Sequence, residues 1–277
     1  MRKFLTAAML VLSSLAAQAQ NNPLSEVPPE EIDNRVRLAG DTLHVCFDLA
    51  SVGRAFDQDV AQAIADALFL KMEVLEGFGG FPLSGGGFMT ELTIAMTESC
   101  DLLMGVSVSP YSATSQAFSI SRPYATVPFV LVVANKDWQK LGDIPKTERL
   151  GTAIASIGEM NYITWARQQP KEERWVRLPY ADYDLMTTRL LDGTIAGMIL
   201  WQPAFAKVQR EREDAKDLRI IANDPIPPAA TRVGAAVASK NSFLRRQIDQ
   251  AIEALVADGT IDKLIEKHGY IGAHAGE

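Results

Sequence analysis

Apolar and polar positions along the chain alternate between short apolar runs and segments with helical spacing, and this rhythm predicts a βαβ architecture. Thr42-Leu43-His44-Val45-Cys46-Phe47-Asp48 is an apolar run closed by a polar residue. Asp57 is then read as the cap of a helix that places Val60, Ile64, Ala67 and Leu68 on one face. Lys71–Leu75 predicts a second strand, residues 77–87 a glycine-rich loop, Phe88–Thr97 a helix, and Asp101–Val106 a third strand. A long apolar stretch, Val127–Ala134, precedes a second round of the same pattern. Its strands fall at Leu150–Ile154, Trp175–Leu178 and Ile195–Leu200, and its helices at Gly158–Gln168 and Leu185–Leu191, the latter stopped by Gly193. Leu218–Ile221 and a second extended crossing, Arg232–Ala238, lead to two terminal helices. Leu244, Ile248, Ile252 and Leu255 mark the first and Ile261, Leu264 and Ile265 the second, with Gly259 between them. Helices of about ten residues between strands imply parallel sheets covered on both faces.

Two such units, two apolar crossings and a helical pair at the end predict an α/β protein of two lobes joined by two hinge strands, with a central cleft. The expected division gives residues 41–128 plus 235–277 to lobe 1 and 129–234 to lobe 2, with crossings near 129–134 and 231–236. A ligand in this layout sits at the carboxyl ends of the strands. Ahead of the lobes, Arg2 and Lys3, the apolar run Phe4–Leu15 and Ala17-Gln18-Ala19 have the form of a cleavable export signal covering residues 1–19. That run is too short for a bilayer span of roughly 20 residues, so no membrane insertion is expected after cleavage. Residues 20–40, with Pro23, Pro28 and Pro29, lack apolar periodicity and are read as a leader. The expected compartment is the bacterial periplasm, which permits a disulfide.

Composition narrows the classes further. The 277 residues carry a net charge of −7, and loss of Arg2 and Lys3 with the signal takes it to −9, which argues against a nucleic-acid partner. His44, His268 and His274 are scattered and suggest no metal site. There is no phosphate loop, no G-x-S-x-G elbow and no paired acid and base, so neither an enzyme nor a cofactor is expected. Cys46 ends the first strand and Cys100 precedes the third. Adjacent strands about 4.8 Å apart bring two cysteines within bridging range, and a pair of buried free thiols is the alternative. Tyr111, Tyr124, Phe129 and Trp201 fall at strand ends or crossings, as a candidate aromatic wall to the cleft.

Phe56-Asp57-Gln58-Asp59-Val60-Ala61-Gln62-Ala63-Ile64-Ala65 resembles the opening helix of family 3 periplasmic solute-binding proteins. Cys100–Gly105, Ser121-Arg122-Pro123-Tyr124 and the closing Gly259…Lys267-His268-Gly269-Tyr270 are similar to the same family, so the likeness runs over residues 42–270. It implies the type II periplasmic binding-protein fold. In amino-acid-binding members the resemblance implies an arginine soon after the third strand for the ligand carboxylate and an aspartate ending a second-lobe strand for its ammonium. Here Pro110–Ala117 has neither arginine nor lysine, and Gly197–Trp201 ends in tryptophan. Cys46-Phe47-Asp48, Gly87-Phe88, Arg122-Pro123-Tyr124 and Trp201-Gln202-Pro203 also resemble a narrower group, the binding-protein-like accessory proteins of quinoprotein (PQQ-dependent) methanol and alcohol dehydrogenases. That group has a cysteine bridge and Trp-Gly-Pro where this chain has Trp201-Gln202-Pro203. The narrower resemblance implies the first expectation, a non-enzymatic accessory or maturation role with a PQQ-dependent dehydrogenase or its cytochrome c as partner. The broader one implies the alternative, a receptor with an ABC permease as partner and a small-molecule ligand other than a standard amino acid. For either, the expected cleft residues are Asp48, Tyr111, Ser112, Arg122, Tyr124, Ser156 and Trp201, with Ser156 chosen because it precedes a helix N-terminus.

Overall fold

A computed structural model describes residues 40–49, 51–75, 88–108 and 117–275. The export signal, most of the leader, the glycine-rich loop, Tyr111 and Ser112 lie outside the described residues. In the first lobe β1 (Thr42–Cys46), α1 (Arg54–Ala67), β2 (Lys71–Leu75), α2 (Phe88–Glu98) and β3 (Leu102–Val108) alternate, and β1 pairs in parallel with both β2 and β3. β4 (Phe118–Ile120) and β5 (Ala125–Val133) follow. The second lobe holds β6 (Arg149–Ala153), α3 (Ile157–Arg167), β7 (Val176–Tyr180), α4 (Tyr183–Leu191), β8 (Gly197–Trp201), α5 (Gln202–Glu211) and β9 (Arg219–Ile221). There β6 pairs in parallel with β7 and β8. β10 (Ala230–Ala238), α6 (Ser242–Ala257), α7 (Thr260–Lys267) and β11 (Ala273–His274) return the chain to the first lobe.

The strand order β2-β1-β3-β10-β5-β8-β6-β7 shows how the lobes are joined. β5 and β10 run antiparallel, Ala125 opposite Val233 and Pro128 opposite Ala230. From Phe129 onward β5 instead pairs with β8, while β10 continues along β3. These two strands are therefore shared, and β11 adds to β5 at Thr126 and Ala125.

Each lobe has apolar packing on both faces of its sheet. In the first, Phe56, Val60 and Ile64 of α1 meet Ile248, Ile252 and Ile261 on one side, and Leu92 and Met96 of α2 meet Cys100, Leu103 and Phe118 on the other. In the second, Met186, Leu190, Phe205 and Val208 lie on one side and Tyr162, Trp175, Leu131 and Ile199 on the other. Burial on two faces explains the unbroken apolar runs of β3 and β8. Gly259, at φ +75°, turns α6 into α7, a conformation a side chain would resist.

Local readings of two segments need correction. Asp57 does not cap α1: the helix starts at Arg54, and Asp57 is inside it and buried, because its carboxyl finds a partner in the distant Tyr124. The chain after Trp201 is a helix that apolar spacing had not suggested, with Pro203 in its first turn. Cys46 and Cys100 are joined as a disulfide, with Cα atoms 5.8 Å apart, as neighbouring strands permit. No helix among the described residues is long and apolar enough to cross a membrane.

Candidate functional site

The parallel strands β1, β6 and β8 send their carboxyl ends toward Phe47-Asp48, Ile154–Ser156 and Trp201 respectively, and β3 ends at Val108. Strand ends of this kind are where open α/β sheets take ligands. Trp201 occupies the centre of this arrangement. It stands opposite Phe129 in the β5–β8 ladder, one residue beyond the point where β5 stops pairing with β10. It ends a second-lobe strand, yet its indole packs on the apolar core of the first lobe. A Cβ on Gly53 would lie 3.5 Å from Trp201 Cη2, an ordinary contact distance, so the ring reaches the loop between β1 and α1.

Ser156 caps α3, its Oγ accepting from the Glu159 amide at 3.1 Å. Glu159 is itself buried and turns back under the helix start. One carboxylate oxygen accepts from the Ala155 amide at 2.7 Å, and the other accepts from the Thr152 hydroxyl at 2.8 Å and from Arg177. This end of α3 thus already holds a carboxylate of the chain's own. Ile154, Ile157 and Met160 around it are exposed, which gives the second-lobe strand ends an apolar rim.

Asp48 follows β1 and is half-buried. Two other expected cleft residues are placed elsewhere. Arg122 turns to α6: its amide donates to Asp249 Oδ1 at 2.7 Å and its guanidinium pairs with Glu253 at 2.5 Å. These acids are one helical turn apart and form a ready counter-charge, so Arg122 is a strut between the β4–β5 connection and α6. Tyr124 is fully buried in the first lobe. Its hydroxyl donates to Asp57 Oδ1 at 2.6 Å and accepts from the Gly105 amide at 3.1 Å. Burial pushes the Asp57 carboxyl up to about 7, against the opposing effect of the Tyr124 hydrogen bond. Burial and the neighbouring Asp57 carry the Tyr124 hydroxyl well above its ordinary range, and burial takes Tyr270 to about 12.

The sequence gives Asp57 only the role of a cap and Gln202 only a place in a motif, and does not single out Gly53. Gly53 carries no local signal, and that of Asp57 suits a cap equally well. No cluster of histidine, cysteine and acidic residues suited to a metal ion occurs among the described residues.

The family model of bacterial extracellular solute-binding proteins, family 3, matches residues 54–271. No match was found among curated proteins. Among solved structures, the probable amino-acid ABC transporter extracellular-binding protein ytmK from Bacillus subtilis is similar with a TM-score of 0.65 and 15% identity, over 83% of this chain and 97% of that one. Substrate-binding domain 2 of Lactococcus lactis GlnP, in its open conformation, has a TM-score of 0.61 and 18% identity over 83% and 95% of the two chains. The Streptococcus pneumoniae protein AbpA, bound to L-arginine, gives 0.53 and 23% over 82% and 94%. Identities this low speak for a common fold, the two-lobe type II binding-protein architecture. With most of its length matched by the family model, the chain belongs to the family 3 bacterial extracellular solute-binding proteins.

Proposed function

We propose that this protein is a non-enzymatic periplasmic receptor that delivers a small solute, other than a standard amino acid, to an ABC permease. The family match supports the receptor role. The observation that carries the exclusion is Trp201: β8 ends in an indole packed across to the first lobe, where a zwitterion would need an acidic partner for its ammonium. Glu159 beneath the start of α3 acts in the same direction, since it already takes up donors that an incoming carboxylate would use. Asp48, Ser156 and Trp201 are the cleft residues of this reading, with Tyr111 and Ser112 added from the sequence.

A thermal-shift screen of the exported protein tests it, using the standard L-amino acids beside neutral amides, polyols and hydroxy acids. A ligand at a hundred times its Kd adds about 2.7 kcal/mol to stability, a shift that is easily read. The expected result is a rise with a member of the second set and none with the amino acids. A rise with a standard amino acid overturns the exclusion.

A second reading, assistance to a PQQ-dependent dehydrogenase or its cytochrome c, draws support from the Cys46–Cys100 bridge, which the narrower resemblance implied. It requires a dehydrogenase to be retained from periplasmic extract by the immobilised protein. Failure to retain one, together with a solute hit, removes it.

A further inference from the structure

We propose that Trp201 and one face of α5 form an interlobe latch that holds the two lobes together without a ligand. The helix belongs to the second lobe through Ala204, Phe205 and Val208, which lie in that lobe's apolar core. Gln202, Ala206 and Arg210, spaced four residues apart, form a separate stripe facing the first lobe. Gln202 Nε2 donates to the Gly269 carbonyl at 2.9 Å, Ala206 lies in the first-lobe core, and Arg210 Nη1 donates to the His268 carbonyl at 3.3 Å. His268 and Gly269 end α7, which packs on α1 and α6. In the opposite direction, Val52 of the first lobe packs against the second-lobe core. It also borders a cavity of about 320 Å³ lined by Tyr183, Ala204 and Val208.

The seam is held, but imperfectly. Trp201 Nε1 and Gln202 Oε1 are both buried without a hydrogen-bond partner, and Gln202 is 2% exposed. A buried donor and acceptor left unpaired oppose the contact that buries them, since water would satisfy both on separation. Apolar packing and two hydrogen bonds to carbonyls therefore act against two unmet polar atoms at one place. That balance suits an element with two arrangements of similar free energy, the requirement for hinge closure.

The test measures an interlobe distance in ligand-free protein, so its outcome does not depend on which solute, if any, the cleft takes. The two native cysteines are bonded to each other, so Ala67→Cys and Lys171→Cys, exposed positions on opposite lobes, supply the only thiols for spin labels. Combining Gln202→Ala with Arg210→Ala removes both hydrogen bonds and the packing of the buried Gln202 side chain against relief of one unpaired acceptor, so the distance distribution is expected to shift toward longer separations. Trp201→Phe keeps an aromatic contact and removes the unpaired N–H, so it is expected to narrow the distribution toward the short distance. An unsubstituted distribution in a folded double variant overturns the latch, and so does a shift to longer distances with Trp201→Phe. Far-UV circular dichroism on each variant separates opening from unfolding.

Discussion

Replacing Asp57 with asparagine tests the buried carboxyl at the centre of the first lobe. The side chain is 2% exposed on α1, its Oδ1 accepts from Tyr124, and burial holds it at about 7 rather than 3.8. Below pH 3.8 the group is neutral in both folded and unfolded chains, and its burial then carries no charge penalty. Between that pH and about 7 the unfolded chain has released the proton while the folded one retains it. Stability therefore falls as pH rises, and the loss is complete once the folded group has also ionised. A separation of about three pKa units corresponds to a ceiling of ~4 kcal/mol, at about 1.4 kcal/mol each. Asparagine has nearly the same shape, still accepts from the tyrosine hydroxyl and never ionises. Urea unfolding at pH 4, 5.5, 7 and 8.5, followed by circular dichroism, reads the difference between Asp57→Asn and the unsubstituted protein. Groups shared by both cancel in that difference. The variant is expected to gain on the parent by up to ~4 kcal/mol between pH 4 and pH 8.5. Parallel stability curves across that range would refute the assignment of a neutral, desolvated carboxyl at Asp57.

Other features give shorter tests. Tyr124→Phe leaves the Gly105 amide without its acceptor and is expected to cost about 1–3 kcal/mol in urea unfolding at pH 5. By removing the bond that favours the charged Asp57, it also moves the pH window of instability upward. Reducing Cys46–Cys100, which closes a separation of 54 residues, is expected to lower stability by about 4 kcal/mol on the chain-entropy account, read from urea midpoints with and without reductant. In Gly158→Ala, the new methyl would stand 2.8 Å from Phe129 Cδ1 and 3.1 Å from Ile199 Cγ2. Both neighbours are buried, so a loss of about 1–3 kcal/mol is expected from overpacking, seen as a lower thermal midpoint. Glu159→Ala strands the Thr152 hydroxyl, the Ala155 amide and Arg177 together, and a loss on the order of 3 kcal/mol is expected.

How far the sequence discloses this molecule depends on how far apart the interacting residues are. The apolar runs Leu102–Val106 in β3, Val127–Val133 in β5, β8 and Val233–Ala238 in β10 are legible because burial on two faces favours unbroken apolar residues, and Gly193 and Gly259 mark local stops. α5 escapes the same reading because its buried positions are divided between lobes: Phe205 and Val208 serve one core and Ala206 the other, so no single stripe repeats. Site chemistry is less legible still. Asp57 meets a tyrosine 67 residues away, and Arg122 meets Glu253 131 residues away. An acid followed by a helical pattern reads as a cap, and an arginine near a strand end as a ligand group, until those partners are known. Trp201 is the instructive exception. Its position at the end of a second-lobe strand is evident from the chain alone, but its role depends on the first-lobe core that its indole packs against, which no local pattern discloses. A side chain at such a crossing takes its role from the packing of the lobe it enters, and that lobe is assembled from segments far away in the chain.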